Sequence, residues 1–92
     1  MENILNEIKI ERENQQRRWG DQSDDVNNAP TDWVTYISKH STKWFNGQFP
    51  PYTTGVVEDF REAMIKTAAL AVAAVESLDR QRIGTGKTFY ED

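Results

Sequence analysis

Apolar positions recur at three- and four-residue steps through Val57, Phe60, Met64, Thr67, Ala68, Ala71, Val75 and Leu78, the period of one face of a helix. The spacing predicts a long helix over 56–82. Within it Ala68, Ala69, Ala71, Ala73 and Ala74 keep the side chains small, so another helix can approach this backbone closely. This face is expected to be the one packed against.

Two shorter helical patterns precede it. Residues 2–18 lack Gly and Pro and set Ile4, Leu5 and Ile8 on one side, with Glu11, Gln15 and Trp19 continuing the row. Glu13 and Arg17 stand at i,i+4 in the favourable order, and Gly20 ends the segment. An Asp- and Asn-rich loop over 21–30 follows. The run Pro30-Thr31-Asp32-Trp33 then reads as a helix start, with Thr31 as N-cap and Asp32 opposing the positive end of the helix. Trp33, Ile37, Ser41 and Trp44 fall on one side of this second helix, and Asn46-Gly47 stops it. Pro50 and Pro51 make a stiff extended connection to the third helix, because proline fixes φ and donates no hydrogen bond. The fold expected is all-α, three helices in one domain over 1–83, with a short tail over 84–92 beginning at Gly84.

Size changes how these helices are read. A chain of 92 residues with 37% hydrophobic content builds a small core, and such a core rarely supplies more than about 3–5 kcal/mol unaided. Assembly into a helical-bundle homo-oligomer is therefore expected. Cysteine is absent, which removes disulfides and thiolate metal sites and favours a cytoplasmic setting. No run approaches the roughly 20 apolar residues of a membrane span, so no membrane partner is expected. With 11 Lys and Arg against 15 Asp and Glu, the net field repels duplex nucleic acid.

Candidate chemistry is sparse. Gly84-Thr85-Gly86-Lys87-Thr88 ends like a phosphate-binding loop, but Gln81 stands where the pattern needs its first glycine. The acidic loop fails as an EF-hand, since Pro30 and Tyr36 occupy the required Gly and Glu positions when counted from Asp25. Glu58, Asp59 and Glu62 lie one turn apart and can share a divalent cation with Asp24 or Asp25, although acids also gather at helix starts for electrostatic reasons. Glu62 and Lys66 form an i,i+4 pair. His40 is the lone histidine, so no catalytic triad or three-histidine metal site can form within one chain, and no catalytic set, metal or cofactor is expected.

The stretch Glu11-Arg12-Glu13-Asn14-Gln15-Gln16-Arg17-Arg18-Trp19-Gly20, the Asp-rich loop, Asp32-Trp33, and Phe60-Arg61 through Ala68-Ala69-Leu70 to Leu78-Asp79-Arg80 together resemble small phage-encoded MazG-like proteins of the all-α nucleoside triphosphate pyrophosphohydrolase superfamily. The resemblance covers about residues 5–82. It implies a helical subunit that pairs with others and holds a nucleotide pocket between helices, in the host cytoplasm. Active members hold magnesium on a Glu-Glu-x-x-Glu motif and a second acidic motif. Those positions fall here on Lys39, His40 and Lys43, and on Ala63 and Lys66. A magnesium site needs carboxylate oxygens, so the resemblance implies a pocket that binds phosphate with cations and does not cut it. Lys39, His40, Lys43 and Lys66 are the expected phosphate ligands, with Arg12, Arg17 or Trp19 covering a base by stacking or cation–π contact.

Three functions are expected on this basis. The first is binding of a nucleotide or a cyclic-nucleotide defence signal without turnover, as a phage counter-defence protein would. The second is a protein-interaction module that inhibits a host enzyme through exposed Trp44, Phe45, Phe49 and Tyr52, since aromatic side chains dominate interface energetics. The third is a magnesium-dependent pyrophosphohydrolase with its acids rearranged to Glu58, Asp59 and Glu62.

Overall fold

A computed structural model describes residues 1–19 and 28–85, with the side chains of Trp19 and of residues 81–85 outside the description. The described residues are all-helical: α1 spans Glu2–Trp19, α2 Pro30–Thr42 and α3 Thr54–Thr85. Both α1 and α2 pack on α3. At 1.5 Å per residue the 32 residues of α3 run about 48 Å, which matches the 49 Å long axis of the molecule. The other two helices are shorter, so α3 is the spine on which they lie.

Helix α1 begins at Glu2, as expected, while the starts of α2 and α3 differ in detail from the sequence expectation. Helix α2 begins at Pro30, so Ala29 holds the N-cap position and Thr31 lies inside the first turn. Asp32 closes that end by accepting a hydrogen bond from the Ala29 amide at 2.8 Å, while Pro30 has no amide hydrogen to leave unsatisfied. Helix α3 begins two residues earlier than expected, because the Thr53 hydroxyl accepts from the Val56 amide at 3.3 Å and satisfies one orphan donor. At its far end α3 runs through Gly84 to Thr85, so the break expected at Gly84 does not occur there. The remainder of the tail, 86–92, lies outside the described residues, as does the loop over 20–27 with Asp24 and Asp25.

The core sits between α2 and α3. Trp33 is joined by Leu70 and Ala73, with Ile37 and Ala74 packed alongside, so the side of α2 expected to be apolar is the one that is buried. Helix α3 uses a different face from the one expected. Val56, Ala63, Leu70, Ala73 and Ser77 turn inward, joined by Ala69, while Val57, Phe60, Ala71 and Val75 are exposed. Ala69 and Ala73 have almost no exposed surface, and their small size is what lets α1 and α2 come close to this backbone. Half of the predicted packing face is exposed within one chain, and Met64, Thr67, Ala68 and Leu78 of the same face are half-buried.

Ion pairs tie α1 to α3. Arg61 forms a two-pronged contact with Glu7, at 2.8 and 2.6 Å, and Arg12 reaches Glu76 at 2.8 Å. The fork geometry of guanidinium matches a carboxylate on both nitrogens, and it draws the Glu7 carboxyl below its ordinary range, chiefly through the hydrogen bond to Arg61. Arg17 does not take Glu13 as its partner; its guanidinium donates to Asn14.

Candidate functional site

Beyond Thr42 the chain leaves α2 through a turn in which the Phe45 amide donates to the Thr42 carbonyl at 3.0 Å and the Trp44 indole donates to the Ser41 carbonyl at 2.8 Å. These bonds satisfy two of the carbonyls that a helix end leaves open. Gly47, with φ of 89°, turns the chain away in a conformation that a side chain disfavours. Trp44 is thereby fixed against the start of α3. Its ring meets Phe60 edge-on at 5.0 Å, Tyr52 at 5.9 Å and Phe45 at 5.6 Å. Trp44 is half-buried as the hub of this cluster, which corrects its expected role as an exposed anchor, whereas Phe49 is 87% exposed and Phe45 54%.

Beside this cluster a cleft of about 460 Å³ opens between the end of α2 and the first half of α3. His40, Lys43, Trp44 and Asn46 form one wall; Asp59, Glu62, Ala63 and Lys66 form the other. The second wall follows from spacing alone, because residues three and four apart share a helix face. The size lies within the range of about 300–1,000 Å³ common for small-molecule sites.

Charge in the cleft is mixed but ordered. Lys66 reaches Glu62 at 3.2 Å, the i,i+4 pair expected from sequence. Asp59 and Glu62 share the wall with Lys66, an acidic contribution that the sequence reading assigned to a metal and not to this cleft. His40 responds to the cations. Burial pushes its pKa below 6.5, and Lys43, Lys39, Lys66 and Arg18 push it further down in that order. The imidazole is therefore neutral at pH 7, and its ring nitrogens offer one donor and one acceptor.

Of the residues singled out by sequence, His40, Lys43 and Lys66 meet in the cleft. Lys39 is exposed outside its lining and acts on His40 only through its field. Arg12 sits at the α1–α3 contact, bound to Glu76 and close enough to Arg80 that its charge adds to burial in lowering that guanidinium's pKa. Arg17 is exposed and bonded to Asn14. The Trp19 side chain lies outside the described residues, so the aromatic wall that the structure places in the cleft is Trp44. Among the described residues no three acidic or histidine side chains converge to hold a metal ion. Also among them, no helix is long and apolar enough to cross a membrane.

Comparison with family models, with curated proteins and with solved structures gives no match to this chain.

Proposed function

We propose that this chain binds a phosphorylated small molecule of nucleotide class in the α2–α3 cleft and does not turn it over. The observation that carries the reading is the meeting of His40, Lys43 and Lys66, from two helices, on one cleft with an aromatic wall. Lysine ammonium groups and a neutral imidazole can donate hydrogen bonds to phosphate oxygens. Trp44 offers an edge or face to a base, and Asp59 and Asn46 offer acceptors to hydroxyl or amino groups. The resemblance of residues 5–82 to MazG-like proteins, with basic side chains at the positions of the family's metal ligands, supports the same reading. In this reading the protein is a catalytically degenerate member of that group, and stoichiometric capture of a nucleotide signal is how it would serve phage counter-defence.

The test is calorimetric titration with nucleoside triphosphates, diphosphates and cyclic dinucleotides, with and without magnesium, on the wild type and three variants. Binding independent of magnesium is expected, weakened by Lys43→Gln and by Lys66→Gln. Glu62→Gln should tighten it, because it removes the carboxylate that competes with phosphate for Lys66. Magnesium-dependent pyrophosphate release abolished by Glu62→Gln would instead establish the rearranged hydrolase. A second reading, a protein-interaction module, is favoured by the exposure of Phe45 and Phe49. It gains the field if no nucleotide binds and a partner is captured by the wild type but not by Phe49→Ala.

A further inference from the structure

The α2–α3 cleft changes character along its length. Trp33, near the start of α2, packs with Leu70 and Ala73, while Trp44, just past the end of α2, meets Phe60 at 5.0 Å. The two helices therefore run past one another in opposite directions, and this order sets what stands at each end of the cleft. His40 falls at the Lys66 end, where the charges of Lys66 and of Arg18 from α1 both reach its imidazole. Trp44 and Asn46 fall at the Asp59 end. Asp59 and Lys66 are seven residues apart in one helix, about 10 Å at 1.5 Å per residue, which is the scale of a mononucleotide from base edge to phosphate. One end is cationic, and the other is aromatic and acidic.

The two acids of the α3 wall differ in what they have left to offer. Glu62 is engaged by Lys66 at 3.2 Å. Asp59 makes no ion pair or hydrogen bond among the described residues, so both of its oxygens remain for a ligand. The Trp44 indole N–H is already donated to the Ser41 carbonyl, so this ring offers a base its π-surface alone, which is tolerant of base identity. Choice between bases therefore falls to Asp59, with Asn46 beside it on the same end.

We propose that the cleft selects guanine nucleotides, the Asp59 carboxylate accepting from the N1–H and 2-amino groups of the base while the phosphates lie toward His40, Lys43 and Lys66. This selection rests on the nucleotide-binding reading and adds the identity of the base. A carboxylate accepts hydrogen bonds and donates none. Guanine presents two donors side by side, which match the two carboxylate oxygens in a bidentate, charge-assisted pair. Adenine and cytosine each set an amino group beside a ring-nitrogen acceptor, and uracil flanks its one N–H with two carbonyls. All three would turn a lone pair toward a carboxylate oxygen. The Asn46 amide can in addition donate to the guanine O6.

Calorimetric titration of the full chain with the triphosphates of guanosine, inosine and adenosine, without magnesium, tests this. Guanosine triphosphate should bind about tenfold more tightly than adenosine triphosphate, within the range of about 5- to 150-fold that a good bidentate base contact supplies. Inosine triphosphate, which lacks the 2-amino group, should fall between them. Asp59→Asn should bring guanosine and adenosine to equal affinity or invert their order, because a carboxamide sets one donor beside one acceptor and so complements adenine. Position 59 is exposed, so helix content by circular dichroism should not change. Nucleotide binding without base preference, or a guanosine preference that survives Asp59→Asn, would overturn the selection and leave nucleotide capture standing. Failure of every nucleotide to bind would overturn both.

Discussion

Replacing Gln15 by methionine should stabilise the protein. Gln15 is 2% exposed where α1 lies on α3. Its amide nitrogen donates to the Lys66 carbonyl at 3.3 Å, longer than the usual 2.7–3.2 Å for such a bond. That bond belongs at the bottom of the usual net range, about 0.5 kcal/mol. The side-chain oxygen is buried and has no partner among the described residues, and a stranded acceptor costs about 1–3 kcal/mol. Methionine has nearly the same length and shape without either polar group. The Lys66 carbonyl keeps its bond from the Leu70 amide within α3, so the substitution strands nothing new. The expected balance is a gain of about 1 kcal/mol, or a rise in Tm of about 4–8 °C for a domain of this size. Urea and thermal unfolding followed by far-ultraviolet circular dichroism would read it, with wild type and variant at one protein concentration because assembly shifts apparent stability. A loss of about 1 kcal/mol or more would refute the reasoning. It would mean that the oxygen accepts a bond from water.

Leu70→Ala should be severe: Leu70 is 1% exposed against Trp33 and Ala73, its neighbours Ala69 and Ala73 cannot fill the hole, and losses in such sites run to about 2.7–5 kcal/mol. A loss below about 1 kcal/mol in the same unfolding assay would show that α2 repacks onto α3. His40, followed by NMR, should titrate below pH 6.5 and move upward in Lys43→Gln and Lys66→Gln, because both remove cations that oppose its protonation. The sign for stability follows. With a folded pKa below the unfolded one, the unfolded chain takes up the proton first, so the contribution of this site is full above about pH 6.5 and declines as pH falls toward the folded pKa.

What could be read from sequence depended on how local the cause was. Three helices were legible because apolar period, proline and capping residues act within a few positions, and the errors are confined to ends: Thr31 for Ala29, Val56 for Thr54, and a stop at Gly84 that the helix runs through. The buried side of α2 was also legible, since Trp33 and Ile37 stand out against polar neighbours. The buried side of α3 was not. Its alanines and valines surround the helix, so the row through Val56, Ala63, Leu70 and Ser77 competes with the row through Val57, Met64, Ala71 and Leu78 at the same spacing. Only the partners decide between them, and Ala69 and Ala73 fit beneath α1 and α2. Links such as Arg61–Glu7 and Arg12–Glu76 join residues more than fifty positions apart, and nothing local announces them. The meeting of Lys66 with His40 and Lys43 rested on resemblance alone. The acids of the same wall had a signal, since Asp59, Glu62 and Lys66 repeat at three and four residues.

The mixed charge of that wall has a consequence for selectivity. Lys66 already has a carboxylate at 3.2 Å, so a ligand gains from it only by displacing Glu62 or by adding a second anionic oxygen to the same ammonium. A singly charged carboxylate offers nothing that Glu62 does not. In the proposed reading a diphosphate or triphosphate would engage Lys43 and Lys66 together, with His40 as a neutral donor on the same cleft, so the second contact would be made at an effective concentration that a monovalent anion lacks. Burial chiefly, and the neighbouring cations with it, keep His40 neutral; the cations' part would fall when phosphates arrive, which raises the pKa and favours binding a proton with the ligand. Affinity for a polyphosphate should therefore increase on acidification toward pH 6 more steeply than the ligand's own titration accounts for. An affinity flat across that range, or equal binding of acetate and pyrophosphate, would show that the cleft does not use its cations together.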